Sequence, residues 1–232
     1  MTPNGKTFVN WSSGKDSALA LQRLNSQGET APELLITTID KVGKRVPIHQ
    51  IPVELLTGQM KATGLDHEVV KIPPNASNSV YESIMGEKLS DLNKRGYRAG
   101  AFGDIFLRDI RSYREKQYSG SGISPLFPLW NVDTHMLMRE FTDLGFRAIV
   151  VAVDLSRLDI SFLGREVDED FLHDLPRDVD PAGENGEFHT FCYNGPCFAH
   201  PVGFSKTGES EKTIGSGEFK MKMGFCDLKP DV

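Results

Sequence analysis

The sequence predicts an α/β fold, a doubly wound parallel sheet followed by a small mixed α+β C-terminal part. Three observations carry this. Short apolar runs alternate with longer helical patterns through the first two thirds of the chain. Those runs are continuously apolar rather than alternating, as strands are when helices cover both sheet faces. After Asp154 the texture changes to loops rich in Asp, Gly and Pro between strand-like segments.

Taken in order, Thr7–Trp11 reads as a buried strand and Ser17–Leu24 as a helix with Ala18, Leu19, Leu21 and Leu24 on one side. Glu33–Ile39 is a strand, Val53–Thr63 a helix ended by Gly64, and His67–Ile72 a strand stopped by Pro73-Pro74. Ser79–Arg95 is a long helix closed by Gly96, Ala99–Phe102 a short strand, Arg108–Gln117 a polar helix and Pro125–Leu129 a short apolar run. Asp133–Leu144, capped by Asp133, is a helix, and Phe146–Val153 is the most strand-like segment of all. Beyond it come a short helix over Val167–Leu175, a loop over Pro176–Glu187, and two strands, Phe188–Phe198 and Glu218–Leu228, separated by the glycine-rich stretch Gly208–Gly217. The expected organisation is a Rossmann-like domain over residues 1–154 and a small C-terminal, substrate-side domain over 155–232.

Composition narrows the function classes. Charged residues make up 25% and the hydrophobic set 39% of 232 residues, as in ordinary globular proteins. No apolar run approaches the ~20 residues of a membrane helix. Met1–Lys6 shows no apolar stretch behind a basic start, so no leader is expected. A net charge of -6 argues against a broad nucleic-acid footprint, and DNA is not an expected partner. The cysteines, Cys192, Cys197 and Cys226, form no CxxC pair and read as free thiols used in packing, in a reducing, cytoplasmic setting.

The most informative stretch is Ser12-Ser13-Gly14-Lys15-Asp16-Ser17, between the first strand and the first helix. Backbone N–H groups at a helix start converge on one point, and the helix dipole favours an anion there. Ser12, Ser13 and Ser17 add hydroxyls, Lys15 a positive charge, and Gly14 a close backbone approach. Asp16 makes sense beside a phosphate if it orients loop N–H groups or helps hold Mg²⁺. The spacing is not that of a Walker A loop. It is the Ser-x-Gly-Lys-Asp-Ser signature of PP-loop enzymes. Thr37 and Thr38 end the second strand, where the adenosine edge is expected, with Gly103 and Asp104 across the sheet.

With further motifs the sequence resembles the diphthine–ammonia ligase (diphthamide synthase) family of PP-loop ATP pyrophosphatases. These are Gly100–Ile105 followed by Arg108, Pro128-Leu129-Trp130, Leu163-Gly164-Arg165, and Gly183-Glu184-Asn185-Gly186-Glu187-Phe188-His189-Thr190-Phe191 with Asn194-Gly195-Pro196 after it. The resemblance covers roughly residues 6 to 200. It implies a sheet of the adenine nucleotide alpha hydrolase type and cleavage of ATP between the α and β phosphates. It further implies amidation of a carboxylate through an acyl-adenylate, with ATP, Mg²⁺ and ammonia as reactants and a protein acceptor such as elongation factor two. A homodimer is compatible with the sequence. Two departures stand out. Ser13 replaces the glycine of the commonest PP-loop, which predicts that this position does not need a positive φ. Asn185 replaces the central glycine of the last motif, a residue that tolerates left-handed geometry.

The resulting site is explicit. Lys15, Asp16, Arg108, Glu184, Glu187 and His189 are the expected catalytic residues. Lys15 and Arg108 stabilise charge on the phosphates, Glu184 and Glu187 grip Mg²⁺, ammonium or substrate, and His189 shuttles protons. Among Arg108, Arg111 and Arg114, Arg108 is selected. Ser12 to Ser17, Thr37, Thr38, Gly103 and Asp104 are expected to bind nucleotide. His49, Gly183 to Glu187 and Thr190 are expected to face substrate, and Asp16 the metal. Trp130 is expected in packing. Two other readings fit the same loop: an adenylating enzyme with a different small-molecule or tRNA acceptor, and a sensor that holds ATP or AMP without turnover.

Overall fold

The computed structural model describes residues 5–28, 31–214 and 220–231. It has two sheets. β1 (Lys6–Asn10), β2 (Leu34–Asp40), β3 (Asp66–Ile72), β4 (Tyr97–Ala101) and β5 (Ser124–Leu126) form a five-stranded sheet in the order β3-β2-β1-β4-β5. Every pair in it is parallel. Between these strands run α1 (Lys15–Gln27), α2 (Val53–Ala62), α3 (Asn78–Lys94) and α4 (Arg108–Tyr118).

The period-two alternation of a strand divides the core. Val9 and Leu35 face one side with Leu21 and Leu24 of α1 and Leu56 and Met60 of α2. Phe8, Leu34 and Ile36 face the other, with Leu89 and Leu92 of α3 and Tyr118 of α4. The sheet is therefore covered on both faces, as its apolar runs predict. α3 starts where the Ser77 side chain accepts the Val80 N–H, and the next helix, α5 (Thr134–Asp143), where Asp133 accepts from Met136.

β6 (Arg147–Asp154) departs from expectation. It belongs to a four-stranded antiparallel sheet, β7-β6-β9-β8, with β7 (Phe188–Asn194), β8 (Phe204–Ile214) and β9 (Met221–Pro230). A run buried on both sides reads alike in a parallel or an antiparallel sheet, so periodicity alone misplaces it. The break between sheets falls between Leu126 and Arg147, ahead of residue 154. One continuous core joins α1 and α2 to this second sheet through Phe141, Val150 and Phe191. The short α6 (Glu169–Asp174) is capped by Asp168. The stretch from Gly208 to Ile214, read as a glycine-rich separator, is instead part of β8. Residues 1–4 of the N-terminal segment, 215–217 of that separator and 218–219 of the expected last strand lie outside the described residues.

Among the described residues no helix is long and apolar enough to cross a membrane. All three cysteines are free and buried. Burial pushes the Cys192 thiol well up and that of Cys197 up to about 12, so both stay protonated and serve packing. Trp130 is half-buried, with the Arg111 guanidinium 4.6 Å from its ring.

Candidate functional site

In the order β3-β2-β1-β4-β5 the chain reverses direction across the sheet between β1 and β4. The crevice beyond the carboxyl ends of those strands is where open α/β sheets bind ligands. A cleft of about 290 Å³ lies there. Asn10 to Ser12, at and just after the end of β1, supply its floor, Ile36 to Thr38 within β2 one side, and Phe102 to Asp104 after β4 the other. Asp16, Ser17, His49 and Glu184 also line it. Nine of the residues expected at a site thus meet in one place: Ser12, Asp16, Ser17, Thr37, Thr38, His49, Gly103, Asp104 and Glu184.

The Ser12–Ser17 loop is held from behind. Ser13 has φ 73, so this position does adopt the left-handed region and the expectation for it fails. A serine there is strained, and surrounding bonds hold it. The Ser13 carbonyl accepts from the Cys192 N–H and the Gln59 Nε2, each at 2.9 Å. Gln59 is fully buried and also accepts from Trp11 Nε1 at 2.8 Å. The Ser13 hydroxyl is buried without a partner. Thr190 of β7 takes the Lys15 N–H on its Oγ1 at 3.0 Å, and Ser17 Oγ donates to the Gly14 carbonyl at 2.9 Å. Among the described residues no protein acceptor is recorded for the N–H groups of Asp16 and Ser17 at the start of α1. Gly103 packs against the same point. A Cβ there would stand 2.9 Å from the Asp16 carbonyl carbon and 3.0 Å from the Ser17 nitrogen. The arrangement is a helix start whose first N–H is taken by Thr190 and whose next two border an open cleft, suited to an anion.

Lys15 does not face the cleft. Its ammonium is 3% exposed, bonds both Asp16 oxygens at 2.9 Å and the Ala182 carbonyl, and lies 5.3 Å from the Phe188 ring centre. The charge expected on the phosphates instead fixes Asp16 and ties the 182–188 loop to α1. Arg108 is likewise displaced. It opens α4, is exposed, and does not line the cleft. The arginine that does is Arg114, held by Asp104 (Nε to Oδ2, 3.5 Å) and lying 4.7 Å from the Phe102 ring centre. Side chains in a helix repeat every 3.6 residues, and Arg114 rather than Arg108 falls on the inward side.

Glu184 enters the cleft with Oε1 accepting the N–H of Ile105 at 2.7 Å and of Phe106 at 3.3 Å. Burial, then the nearby Asp16 carboxylate, raise its carboxyl to about 7 against the opposing pull of those N–H groups. Asp104 is also raised, by burial, with Arg114 opposing. Glu187 does not reach the cleft. It is 2% exposed, and its Oε1 accepts from the Asp180 N–H at 3.1 Å and Asn185 Nδ2 at 3.0 Å, so it shapes its own loop. Gly183 and Gly186 take the positive φ values of that loop, 66 and 89, while Asn185 does not. A carbonyl can only accept, so His49 Nδ1, 2.9 Å from the Thr190 oxygen, carries its proton there and Nε2 keeps a lone pair. Burial lowers His49 to about 4 and His189, whose ring centre is 5.0 Å away, well below its usual value. His189 packs behind His49 rather than lining the cleft. Gln59 and Asn10 are residues of this region that sequence reasoning missed, and Arg114 one that it weighed and passed over for Arg108. Asn10 and Gln59 sit in apolar surroundings where a lone amide gives no pattern.

Fold and cleft together define an α/β protein with a ligand crevice at the reversal point of a parallel sheet and an anion-suited loop in its wall. The segment packed against that loop is the one that carries a family signature: residues 133–231 match the family model described as the diphthamide synthase C-terminal domain. No curated protein matches the chain.

Proposed function

We propose that the chain is an ATP-dependent ligase that converts a carboxylate into an amide, of the diphthine-to-diphthamide kind. The observation that carries this reading is the joint between the two parts. β7, inside the matched segment, bonds the Ser12–Ser17 loop through Thr190 and Cys192 and brings Glu184 into the same cleft as Asp16.

The residues fit ATP as a substrate. The free N–H groups of Asp16 and Ser17 and the Ser12 hydroxyl suit phosphate oxygens, and the absent Cβ at Gly103 leaves them room. Ile36 to Thr38 suit the adenosine edge. Mg²⁺ would neutralise the phosphates, with Asp16 as its ligand. Among the described residues no preformed cluster of three ligands exists, so such an ion would rely on phosphate oxygens for the rest of its shell. Arg114 supplies the positive charge within the cleft.

In this reading a carboxylate oxygen attacks the α-phosphorus. The bond from that phosphorus to the bridging oxygen breaks, and pyrophosphate leaves with the electron pair. Ammonia then attacks the acyl carbon, AMP leaves with its pair, and one proton of the ammonia nitrogen must be taken up. Glu184, with a carboxyl near 7, and the lone pair of His49 Nε2 are two proton acceptors that line the cleft beside Asp16 and Asp104. An acceptor such as elongation factor two fits a cytoplasmic setting. The test is pyrophosphate release from Mg-ATP with ammonium and diphthine-bearing elongation factor two. Pyrophosphate and AMP formed only with acceptor are expected. ADP and phosphate, or hydrolysis indifferent to acceptor, would refute the ligase reading.

A further inference from the structure

A second cavity of about 680 Å³ adjoins the cleft, more than twice its about 290 Å³. Pro47, Ile48 and Tyr81 line both spaces, so the two share a wall. The chamber also draws on residues the cleft does not use: Ile72 at the end of β3, Asn75 and Asn78 before and at the start of α3, and Phe225 of β9. Its lining is mixed: Ile72 and Phe225 are apolar, the exposed Asn75 and Asn78 are polar, and Asp40 and Arg45 add one charge of each sign.

The backbone gives an independent sign. Ile48, Gln50 and Asn75, all lining the chamber, have φ values of 63, 55 and 54. Such conformations are retained where the surroundings enforce them, and they cluster at ligand sites. For Ile48 the cost is greatest, because a β-branched side chain crowds the left-handed region. The loop is braced to hold it: Arg45 Nη1 donates to the Gln50 carbonyl at 2.5 Å, and the N–H groups of Val46 and Gln50 donate to Ile51 and Val46 at 2.9 Å. The result is an apolar side chain, 46% exposed, standing between two spaces with no core to serve.

We infer that the chamber is the acceptor subsite, and that Ile48 is the threshold past which the acceptor's carboxylate reaches the cleft. This rests on the ligase reading. The ligand class is a carboxylic acid on a bulky body that offers apolar or aromatic surface to Ile72 and Phe225 and polar or charged groups to Asn75, Asn78, Asp40 and Arg45. A small acid such as acetate fills none of this space. The chamber is thus the specificity determinant, and the cleft the reacting centre.

The test uses the full chain with Asn78→Trp, which fills the chamber from an exposed rim position, and Ile48→Gly, which removes the threshold. Mg-ATP affinity is measured by calorimetry, and acceptor KM by pyrophosphate release with the diphthine-bearing factor. Asn78→Trp is expected to raise acceptor KM at least tenfold while the Mg-ATP Kd stays within twofold. Ile48→Gly, at a residue that also lines the cleft, is expected to change acceptor KM by a larger factor than it changes the Mg-ATP Kd. Acceptor KM within twofold of wild type in both variants, or parallel weakening of ATP and acceptor, would overturn the subsite. Should wild type release no pyrophosphate with that factor, the ligase reading fails by itself and the chamber is decided by binding. In that case 3-phenylpropionate, titrated into wild type, is expected to shift the side-chain amide resonances of Asn75 and Asn78, and acetate to leave them in place. No shift with 3-phenylpropionate would overturn the chamber as a site for such acids.

Discussion

The Ser12–Ser17 loop and the loop from Lys41 to Gln50 both border the cleft, and both hold non-glycine residues at positive φ. They do so by different means. Ser13 is fully buried, and its carbonyl is gripped by Gln59 from α2 and by the Cys192 N–H from β7. Ile48 is half open to solvent, in a loop held by its own bonds and tied to β7 at His49 and to β9 at Arg45, with no bond recruited to the exposed side chain itself. The first loop is thus fixed at its strained residue by both parts of the molecule at once, whereas in the second the side chain of Ile48 stands outside the core that Val46 joins, so it can be replaced without leaving a cavity. A frame suited to phosphates needs the former. A wall that selects among acceptors is served by the latter.

The largest effect that would break this contrast is at Gln59. Gln59→Leu leaves Trp11 Nε1 without its acceptor and takes one of two donors from the Ser13 carbonyl. At about 1–3 kcal/mol for each buried group left unpaired, a loss of roughly 3 kcal/mol is expected in urea unfolding. A loss under about 1 kcal/mol would mean that β7 alone suffices to hold the loop.

A smaller effect sharpens the comparison. Ser13→Gly relieves the left-handed strain and removes a buried hydroxyl that has no partner. A gain of about 1 kcal/mol is expected, and more than for Ser13→Ala, which keeps the strain. Equal unfolding midpoints for the two variants would show that the backbone is not strained there.

The smallest effects are in pH dependence, and the two walls of the cleft have opposite signs. Glu184 is raised from 4.5 to about 7. Its protonated form is favoured by the fold, so stability is lost as pH rises through that window. Glu184→Gln keeps an acceptor for Ile105 and should remove the loss, so its Tm advantage over wild type grows from pH 4.5 to 7. His49 is lowered from 6.5 to about 4. Its contribution is present above 6.5 and lost as pH falls towards 4. His49→Gln should flatten that acid limb and leave the neutral range alone. A Tm difference independent of pH in either variant would contradict the corresponding shift.

How much of this was legible depended on what each residue leaves in the sequence. The parallel sheet was readable because β1 and β2 are apolar runs with turn signals at both ends, and the Ser12–Ser17 loop because strand, glycine and helix start adjoin. β6 was readable as a strand but not as antiparallel, since burial on both faces erases the alternation that would separate the cases. β8 was hidden by exposure: most of its residues face solvent, so glycine and charge read as loop. Within the site, the direction of a side chain was the unreadable quantity. Lys15 has the right type and position, yet Ala182 and Phe188, far off in sequence, turn it away from the cleft. Arg108 and Arg114 differ only by their place around one helix.

Thr190 is the contact through which the C-terminal segment holds the Ser12–Ser17 side of the cleft. The direct measurement is the Mg-ATP Kd of wild type, Thr190→Val and Thr190→Ser in the full chain. Valine removes the acceptor for the Lys15 N–H, at a cost of about 1.4 kcal/mol, or roughly tenfold. Weakening of that order is expected in Thr190→Val, with affinity largely restored in Thr190→Ser. Equal affinity in all three proteins, or no Mg-ATP binding by wild type, would contradict it.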